Sequence, residues 1–388
     1  MAAETPIPKQ LRSPLLALFV ISTAYAMVLP VLPALLVSVA PGDVAAATGA
    51  LMATYTLATV LASPLWGWWL DRYPARRLLL IGLVGQGVVQ LALWWPPSLT
   101  TLVIIRALQG AMGAVAVPAV LTLAAQWCPP SVYGVAVARA SRAALMGGLA
   151  GPLLGGVLAQ GASLRVPLAV ASGLTLMAAL GILRARPPAR DPTAEFRAPV
   201  ADRPRLWLLA AAAVVAGLAM GAMEVGVSVR GREALGLSAS AVGLLFSSCG
   251  VVMIAVQTGV FRPHRDPVSL WRLLAPAFLV SAVGVGVLRW ANDAWMLGTV
   301  VALVAAGGGV LLPTISLWIV RSAGPAHGLQ LGLRAALGGL GQAGGALLAG
   351  VAFRVQAPQW PWIVLVVGLS VVLAWAVARR LPALETAP

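Results

Sequence analysis

Charged residues, and acidic ones above all, are scarce in this sequence. Asp, Glu, Lys and Arg make up 10% of its 388 residues, and only 11 residues are acidic. Hydrophobic residues make up 60% of the chain, and the mean hydropathy is +0.93. A soluble globular domain does not have this balance, so the composition excludes one and indicates a polytopic membrane protein.

Cysteine and histidine are also rare, with two of each. Cys128 falls in a predicted cytoplasmic loop and Cys249 in a predicted helix, so we expect no disulfide. Neither His264 nor His327 belongs to a cluster with metal-ligand spacing. The chain also has no phosphate-binding loop or nucleophile constellation. These absences argue against a membrane-bound enzyme, and the lack of a soluble domain argues against a receptor; we expect no metal and no cofactor.

Long apolar runs are what the sequence has in abundance. A spanning helix needs about 20 apolar residues, and the chain offers twelve candidate spans. They lie near residues 14–36, 44–66, 77–95, 99–125, 134–159, 165–183, 206–229, 239–261, 270–290, 294–320, 327–354 and 361–378. The fold class predicted is therefore an all-α integral membrane protein with 12 transmembrane helices.

The positive net charge of +15 is explained by where the basic residues fall, and does not indicate nucleic-acid binding. With the N-terminus inside, the loops of one side hold most of the 26 lysine and arginine residues. The other side holds only five, namely Arg165, Arg230, Arg232, Arg289 and Arg354. Because cytoplasmic loops carry an excess of Lys and Arg, we expect both termini in the cytoplasm.

An internal repeat divides the chain in two. The sequence RAAL occurs at 142–145 and again at 334–337, each time before a glycine-rich run, and 110–123 aligns with 305–318. Spans 4 and 5 are thus counterparts of spans 10 and 11, which predicts two pseudo-symmetric six-helix bundles. We place the bundles at 1–183 and 206–388, joined by a polar cytoplasmic linker at 184–205.

Small residues recur at a four-residue step within GGLAGPLLGG, at Gly147, Gly151 and Gly155. This step puts them on one helical face, where another helix can approach backbone to backbone. Pro152 removes a backbone donor, so we expect a bendable helix whose disturbed turn is sheltered by protein or by a water-lined cavity beside a pathway. Plain helix packing is the alternative. Together with Gly156, these residues resemble the antiporter motif on the fifth helix of the drug:proton antiporters of the major facilitator superfamily.

The second span ends in GWWLDRYPARR. This stretch resembles the signature of the superfamily's loop between helices 2 and 3, at Gly67, Asp71, Arg72 and Arg76. The resemblance implies that Asp71 faces the start of span 11, near residues 324–328, where a carboxylate gains from a helix N-terminus and contributes to gating. A basic loop that only sets topology is the alternative. Pro74 stands where the superfamily usually has Gly, which puts the tight turn in question.

Arg106 lies about seven residues inside the fourth span. A buried guanidinium is costly unless it is paired or hydrated, so it is functional by default; snorkelling to the outer surface is the alternative. Arg106, Gln109, Gly110 and Gly113 resemble a further motif, on the fourth helix of these antiporters. We expect Arg106 to take part in proton coupling, by stabilising a deprotonated carboxylate or a substrate anion.

Glu224 is the only carboxylate well inside a span, roughly 24 Å from the inner surface at about 1.5 Å per residue. A neutral glutamic acid is far cheaper at that depth than an anion, which makes Glu224 the second candidate for proton coupling. The alternative is a glutamate near the outer surface, hydrated or paired with Arg230 or Arg232. Polar candidates for a substrate pathway are Tyr25, Tyr55, Gln86, Gln90, Gln109, Gln257, Ser316, Trp318 and Gln342.

The resemblance implies a secondary transporter of the major facilitator fold that exports small amphipathic compounds in exchange for protons by alternating access. Its expected partners are a small-molecule substrate, protons and membrane lipid, and we expect it to act as a monomer in a bacterial inner membrane. A dedicated exporter of a metabolite such as a siderophore, in the same fold, is the alternative, which the scarcity of buried acids favours somewhat.

Overall fold

The structure is a computed structural model. It describes residues 8–28, 31, 44–94, 98–161, 165–185, 203–231, 235–237, 239–262, 267–322, 327–354 and 360–380. Most of the predicted linker, His264 and Arg232 lie outside the described residues.

α-Helices make up nearly all of the described residues. They are α1 (Arg12–Val28), α2 (Val44–Leu70), α3 (Ala75–Leu91), α4 (Leu99–Gly113), α5 (Ala116–Trp127), α6 (Pro130–Gly161), α7 (Val166–Arg184), α8 (Arg203–Val229), α9 (Ala239–Val260), α10 (Leu274–Val287), α11 (Ala294–Ser322), α12 (His327–Arg354) and α13 (Trp360–Arg380). Since α4 and α5 share one predicted span, the helices follow the twelve predicted spans in order. Eight stretches of the described residues are long and apolar enough to cross a membrane, and two apolar helices are shorter.

The fourth span contains a break that we did not anticipate from the sequence. A turn at Ala114–Val115 separates α4 from α5. Pro118 explains the break, because its ring collides with the carbonyl group four residues earlier, at Ala114, and it has no N–H to donate. The helical bonding resumes at Ala119, whose N–H donates to the carbonyl oxygen of Val115 over 2.9 Å.

The described residues group into two compact units. The first lies within Met1–Arg197 and includes Pro325–Ala336; the second lies within Ala198–Gly324 and Leu337–Pro388. The start of α12 thus groups with the first unit and the rest of α12 with the second. The bundle boundaries that we place at 184–205 stay a prediction.

Each unit has an apolar interior and an apolar exterior. In the first unit, Leu51, Leu102 and Leu168 belong to one fully buried cluster. In the second, a larger cluster draws on α8, α10, α11, α12 and α13. Large apolar side chains such as Leu61 and Leu153 stay exposed, each at 69%. Exposed leucines in such number fit a surface that faces lipid rather than water.

Each unit contains a glycine-mediated contact between two of its own helices. In the first unit, α6 packs on α1 through glycines. In the second, a Cβ added at Gly341 or Gly345 of α12 would meet the backbone of Val214 or Leu218 in α8. Spans 5 and 11 therefore contact spans 1 and 7 in the same way, which agrees with the internal repeat in the sequence.

Candidate functional site

Arg106 starts a chain of hydrogen bonds through the interior of the first unit. Its side chain is fully buried, and Nη1 donates to Gln109 Oε1 over 3.0 Å. Gln109 Nε2 donates to Gln90 Oε1 over 3.0 Å, and Gln90 Nε2 donates to the carbonyl oxygen of Ala24 over 3.1 Å. The chain of bonds links α4, α3 and α1. Arg106 therefore points into the protein and does not snorkel to a surface.

Two stacked tyrosines cover the Arg106 guanidinium. The ring centroids of Tyr25 in α1 and Tyr55 in α2 are 4.2 Å apart, with 26° between the ring planes. Arg106 Cζ lies 4.7 Å from the Tyr55 centroid and 5.5 Å from the Tyr25 centroid, which is cation–π distance. Arg106 Nε and Nη2 have no hydrogen-bond partner among the described residues.

The glycines of the same motif bring α2 close to α4. The motif residues share one helical face, because Gln109, Gly110 and Gly113 follow Arg106 by three, four and seven residues. A Cβ added at Gly110 would meet the carbonyl oxygen of Tyr55, and one at Gly113 would lie 3.1 Å from the Tyr55 hydroxyl oxygen. The motif thus combines one charge and one amide with two positions that leave room for Tyr55. Gln86, also fully buried, has Oε1 near Gly113.

Glu224 pairs with Gln342 in the second unit. Gln342 Nε2 lies 3.0 Å from Glu224 Oε1 and 2.9 Å from Oε2, so the amide donates to the carboxylate between α12 and α8. Gly217 and Gly221 allow this approach, because a Cβ at either would meet the backbone of α12. Arg230, which we considered as a partner of Glu224, instead donates to the carbonyl oxygen of Ala291 and to Asn292 Oδ1.

The remaining pathway candidates of the second unit are Gln257, Ser316 and Trp318. Ser316 donates to the carbonyl oxygen of Leu312 in its own helix, as a packing bond. Gln257 is fully buried in α9. Trp318 lies between two cations, with its ring centroid 5.9 Å from Arg205 Cζ and 6.0 Å from Arg321 Cζ.

Asp71 binds the N-terminus of α12 within the first unit. Its Oδ1 accepts from the N–H of Gly328 over 2.7 Å, and its Oδ2 accepts from the N–H of Leu329 over 2.8 Å. A Cβ at Gly67 would meet the Gly328 carbonyl oxygen, so glycine is required on both sides of this contact. The contact that the resemblance implied for Asp71 is confirmed. Its two bonds satisfy N–H groups that a helix start otherwise leaves free.

The two arginines of the same loop have different partners. Arg76 Nε donates to the carbonyl oxygen of Ile182 over 3.0 Å, and Nη2 donates to that of Leu183 over 2.6 Å, at the C-terminal end of α7. A cation there satisfies carbonyl groups that the helix end leaves free. Arg72 stays on α2, with Cζ 3.8 Å from the Trp68 ring centroid. The turn closes without Gly at Pro74, because none of the described non-glycine residues needs a positive φ.

The glycines of the antiporter motif face α1. A Cβ at Gly147 would meet the carbonyl oxygen of Phe19, one at Gly151 that of Thr23, and one at Gly155 that of Met27. α6 continues through Pro152 and Gly156 to Gly161. The side chain of Pro152 is exposed, so the described residues do not cover it, and a water-lined pathway beside it stays a prediction.

Gly147 and Gly148 offer a matched test of this contact. Gly147→Ala would place a methyl group against the Phe19 carbonyl and 2.8 Å from Ser22 Cβ, whereas a methyl group at Gly148 would meet nothing within 4 Å. We expect Gly147→Ala to destabilise the purified protein by about 1–3 kcal/mol, because backbone atoms cannot turn aside. Gly148→Ala should be neutral or slightly stabilising, since Ala favours helix over Gly. Thermal unfolding in detergent measures both; equal shifts would contradict the contact.

A profile of the Major Facilitator Superfamily matches residues 15–327. The chain belongs to the Major Facilitator Superfamily. Two crystal structures share its fold. One is the human organic anion transporter MFSD10 (TETRAN), with a TM-score of 0.79, 19% identity, and coverage of 95% of this chain and 100% of that one. The other is a bacterial homologue of the iron transporter ferroportin in an outward-facing state, with a TM-score of 0.70, 15% identity, and coverage of 97% and 100%.

Curated relatives of this major facilitator protein are drug-resistance proteins. Multidrug resistance protein 1 of Bacillus subtilis is 23% identical over 379 residues, covering 94% of this chain and 96% of that protein. Multidrug resistance protein MdtG of Enterobacter lignolyticus is 27% identical, with 79% and 76% covered. Tetracycline resistance protein, class C, of Escherichia coli is 27% identical, with 91% and 92% covered. The chain is therefore an integral membrane transporter and not an enzyme.

Sequence reasoning missed some partners in this major facilitator protein. The bonds from Arg76 to the end of α7 join residues 106 and 107 positions apart, and nothing near Arg76 in the sequence identifies its partner. The sequence marks Gln342 as a candidate for the substrate pathway but does not pair it with Glu224. The aligned repeats around 142–145 and 334–337 relate span 11 to span 5, but they indicate span 7 as its partner only once the structure has shown that span 5 packs on span 1.

Proposed function

We propose that this major facilitator protein is a proton-coupled exporter of small amphipathic compounds that works by alternating access. The drug-resistance relatives support export of such compounds. The basic residues of the predicted inner loops support an orientation with both termini in the cytoplasm of a bacterial cell. We further propose that it acts as a monomer, with its two six-helix bundles joined at residues 184–205.

The hydrogen-bonded pair of Glu224 and Gln342 is the main observation that supports proton coupling. As an anion, Glu224 accepts from one amide with both carboxylate oxygens. Once protonated, it has an O–H donor of its own and no longer attracts the amide as a charge does. Because Gly221 keeps α8 against α12 at this point, gain or loss of one proton changes the contact between the two helices.

Transport into proteoliposomes tests this proposal. The purified protein is reconstituted with a pH-sensitive dye inside, and tetracycline or a quinolone is added outside without a membrane potential. We expect the addition to move protons in the opposite direction to the drug. Drug movement with no proton movement would leave a transporter that is not proton-coupled. No movement of any compound from a panel of drugs and metabolites would overturn export itself.

Asp71 supports a gating step. Its two bonds to Gly328 and Leu329 join the end of span 2 to the start of span 11, over 257 and 258 positions in the sequence. A carboxylate at a helix N-terminus is worth roughly 0.3–2 kcal/mol. We propose that the contact forms when the cytoplasmic side is closed and breaks when it opens, so that its energy favours the outward-open state.

Asp71→Asn isolates this contribution, because it keeps the shape of the side chain and removes its charge. A loss of about 1.4 kcal/mol would shift the population about tenfold toward inward-open. We therefore expect longer distances between spin labels on the cytoplasmic ends of spans 2 and 11, slower transport, and little change in thermal stability.

Arg77→Gln is the matched control for Asp71→Asn. Arg77 is an exposed, charged residue of the same loop and is not one of the signature positions. We expect label distances in this variant to match those of the wild type. Distance distributions that are the same in Asp71→Asn and wild type, at acidic and neutral pH, would leave Asp71 with a role in folding or topology alone.

A further inference from the structure

The buried charge of Arg106 has no carboxylate partner among the described residues of the first unit. The sequence has no Asp or Glu between Asp71 and Asp191. Among the described residues of the first unit, Asp71 is the only acidic one, and both of its oxygens bind the start of α12. The Arg106 side chain is nevertheless 0% exposed. A buried cation is expensive without an opposite charge, so an anion from outside the first unit is the natural complement.

The free donors of Arg106 define the shape of that anion. Nη1 is used by Gln109, while Nε and Nη2 have no partner among the described residues. Nε–H and one N–H of Nη2 lie on the same edge of the planar guanidinium and point in parallel. This edge matches the two oxygens of a carboxylate, which is why arginine binds such groups with two hydrogen bonds at once.

Tyr25 and Tyr55 add an aromatic component beside the cation. Their rings stack on each other, and both lie within 6 Å of Arg106 Cζ. Rings arranged in this way can stack on a planar ligand whose anionic group reaches the arginine. Because Arg106 has no exposed surface, such a ligand enters only when side chains around the guanidinium move aside.

We propose that Arg106, with Tyr25 and Tyr55, is a binding site for an aromatic organic anion, and that Arg106 Nε and Nη2 hold its carboxylate. The proposal rests on the proposed function in one respect: it takes the anion to be part of the exported compound. It narrows the substrate class to molecules that carry an aromatic system and an anionic oxygen group. It also gives Arg106 a role in substrate recognition.

Binding to a matched set of small probes tests the proposal. The full-length protein in phosphatidylcholine nanodiscs is titrated with 2-naphthoate, with its neutral primary amide, and with 2-naphthylmethylammonium, by isothermal calorimetry without any gradient. We expect 2-naphthoate to bind about tenfold or more tightly than the amide, since hydrogen bonds to a charged group are the stronger ones, and the ammonium to bind most weakly. Equal affinity of acid and amide in the wild type would overturn the proposal, whatever the variants do.

Three variants assign the preference to Arg106. Arg106→Gln should abolish the preference for the acid, and Arg106→Lys should reduce it, because the charge stays and the planar fork is lost. Arg139→Gln is the control, since Arg139 is an exposed arginine of the same unit. It should bind all three probes like the wild type. A preference that survives in Arg106→Gln would overturn the assignment.

Lipid headgroups carry anionic oxygens too, and the nanodisc composition distinguishes them from the substrate. In phosphatidylglycerol nanodiscs we expect the affinity for 2-naphthoate to stay within about threefold of its value in phosphatidylcholine. Competition that removes 2-naphthoate binding in phosphatidylglycerol would assign the site to a lipid headgroup and overturn the substrate assignment. Binding is measured without a gradient, so the expected affinities do not depend on proton-coupled export. Export of neutral drugs, together with equal affinity for 2-naphthoate and its amide, would overturn this proposal and leave the proposed function standing.

Discussion

Glu224→Gln is expected to abolish uphill export while leaving substrate binding largely intact. The amide cannot take up or release a proton, yet it keeps the size of the side chain and can still bond to Gln342. A difference of one pH unit is worth about 1.4 kcal/mol per proton, which supports about tenfold accumulation if one proton moves per substrate. In proteoliposomes with an imposed pH difference, the variant should reach no accumulation above the equilibrium level. Substrate affinity, measured separately, should change by less than about threefold.

Asp293→Asn is the matched control for Glu224→Gln. Asp293 is an exposed carboxylate of the second unit, and its Oδ1 accepts from the N–H of Met296 at the start of α11. Asn caps a helix N-terminus about as well as Asp, so the variant should keep its stability and leave accumulation unchanged. Wild-type accumulation in Glu224→Gln would place the proton site elsewhere or show that transport is not proton-coupled.

Arg106→Ala is expected to reduce transport about 10- to 100-fold in protein that is folded and in the membrane. The substitution removes the charge over Tyr55 and leaves the buried Gln109 Oε1 without its donor. Each lost hydrogen bond of a charged group is worth about 1.5–3 kcal/mol, which corresponds to that loss in rate if it is made up nowhere else. Arg106→Lys should also be impaired, because an ammonium group cannot bond to Gln109 and present a planar edge at once.

The initial rate of drug efflux from proteoliposomes, normalised to folded protein, measures this effect. Arg139→Ala removes an exposed arginine of the same unit and should transport at the wild-type rate. Full activity of Arg106→Ala at normal expression would mean that the network of Gln109 and Gln90 is a packing feature with no part in transport.

The two halves differ in what they bury, although their helices correspond. In the repeat alignment, Val301 is the residue that corresponds to Arg106. Val301 belongs to the apolar cluster of the second unit. The first unit thus buries a cation beside two amides, and the second buries a carboxylate beside one amide. This asymmetry is consistent with different tasks for the two halves, substrate recognition in the first and proton coupling in the second.

Composition and local pattern alone were sufficient to predict the helices and the buried charges. Apolar runs of about 20 residues are required by the thickness of the bilayer, so each span is visible in the sequence without knowledge of its neighbours. Arg106 and Glu224 are conspicuous for the same reason, because ionisable residues are rare inside such runs. The break at Ala114–Val115 is not predictable in this way, although Pro118 lies close to it. A proline does not by itself predict a break, since Pro64, Pro152 and Pro313 lie within continuous helices.

Only the tertiary structure decided which polar groups meet. Gln342 and Glu224 are 118 positions apart, and Asp71 and Gly328 are 257 apart. Such pairs depend on which helix faces are brought within about 3 Å of each other, and glycines on several helices control that distance. A glycine-rich stripe predicts that a helix packs closely but does not name the helix that it packs against. The partner is chosen by the packing of all the helices at once, which is a property of the folded chain and not of any single span.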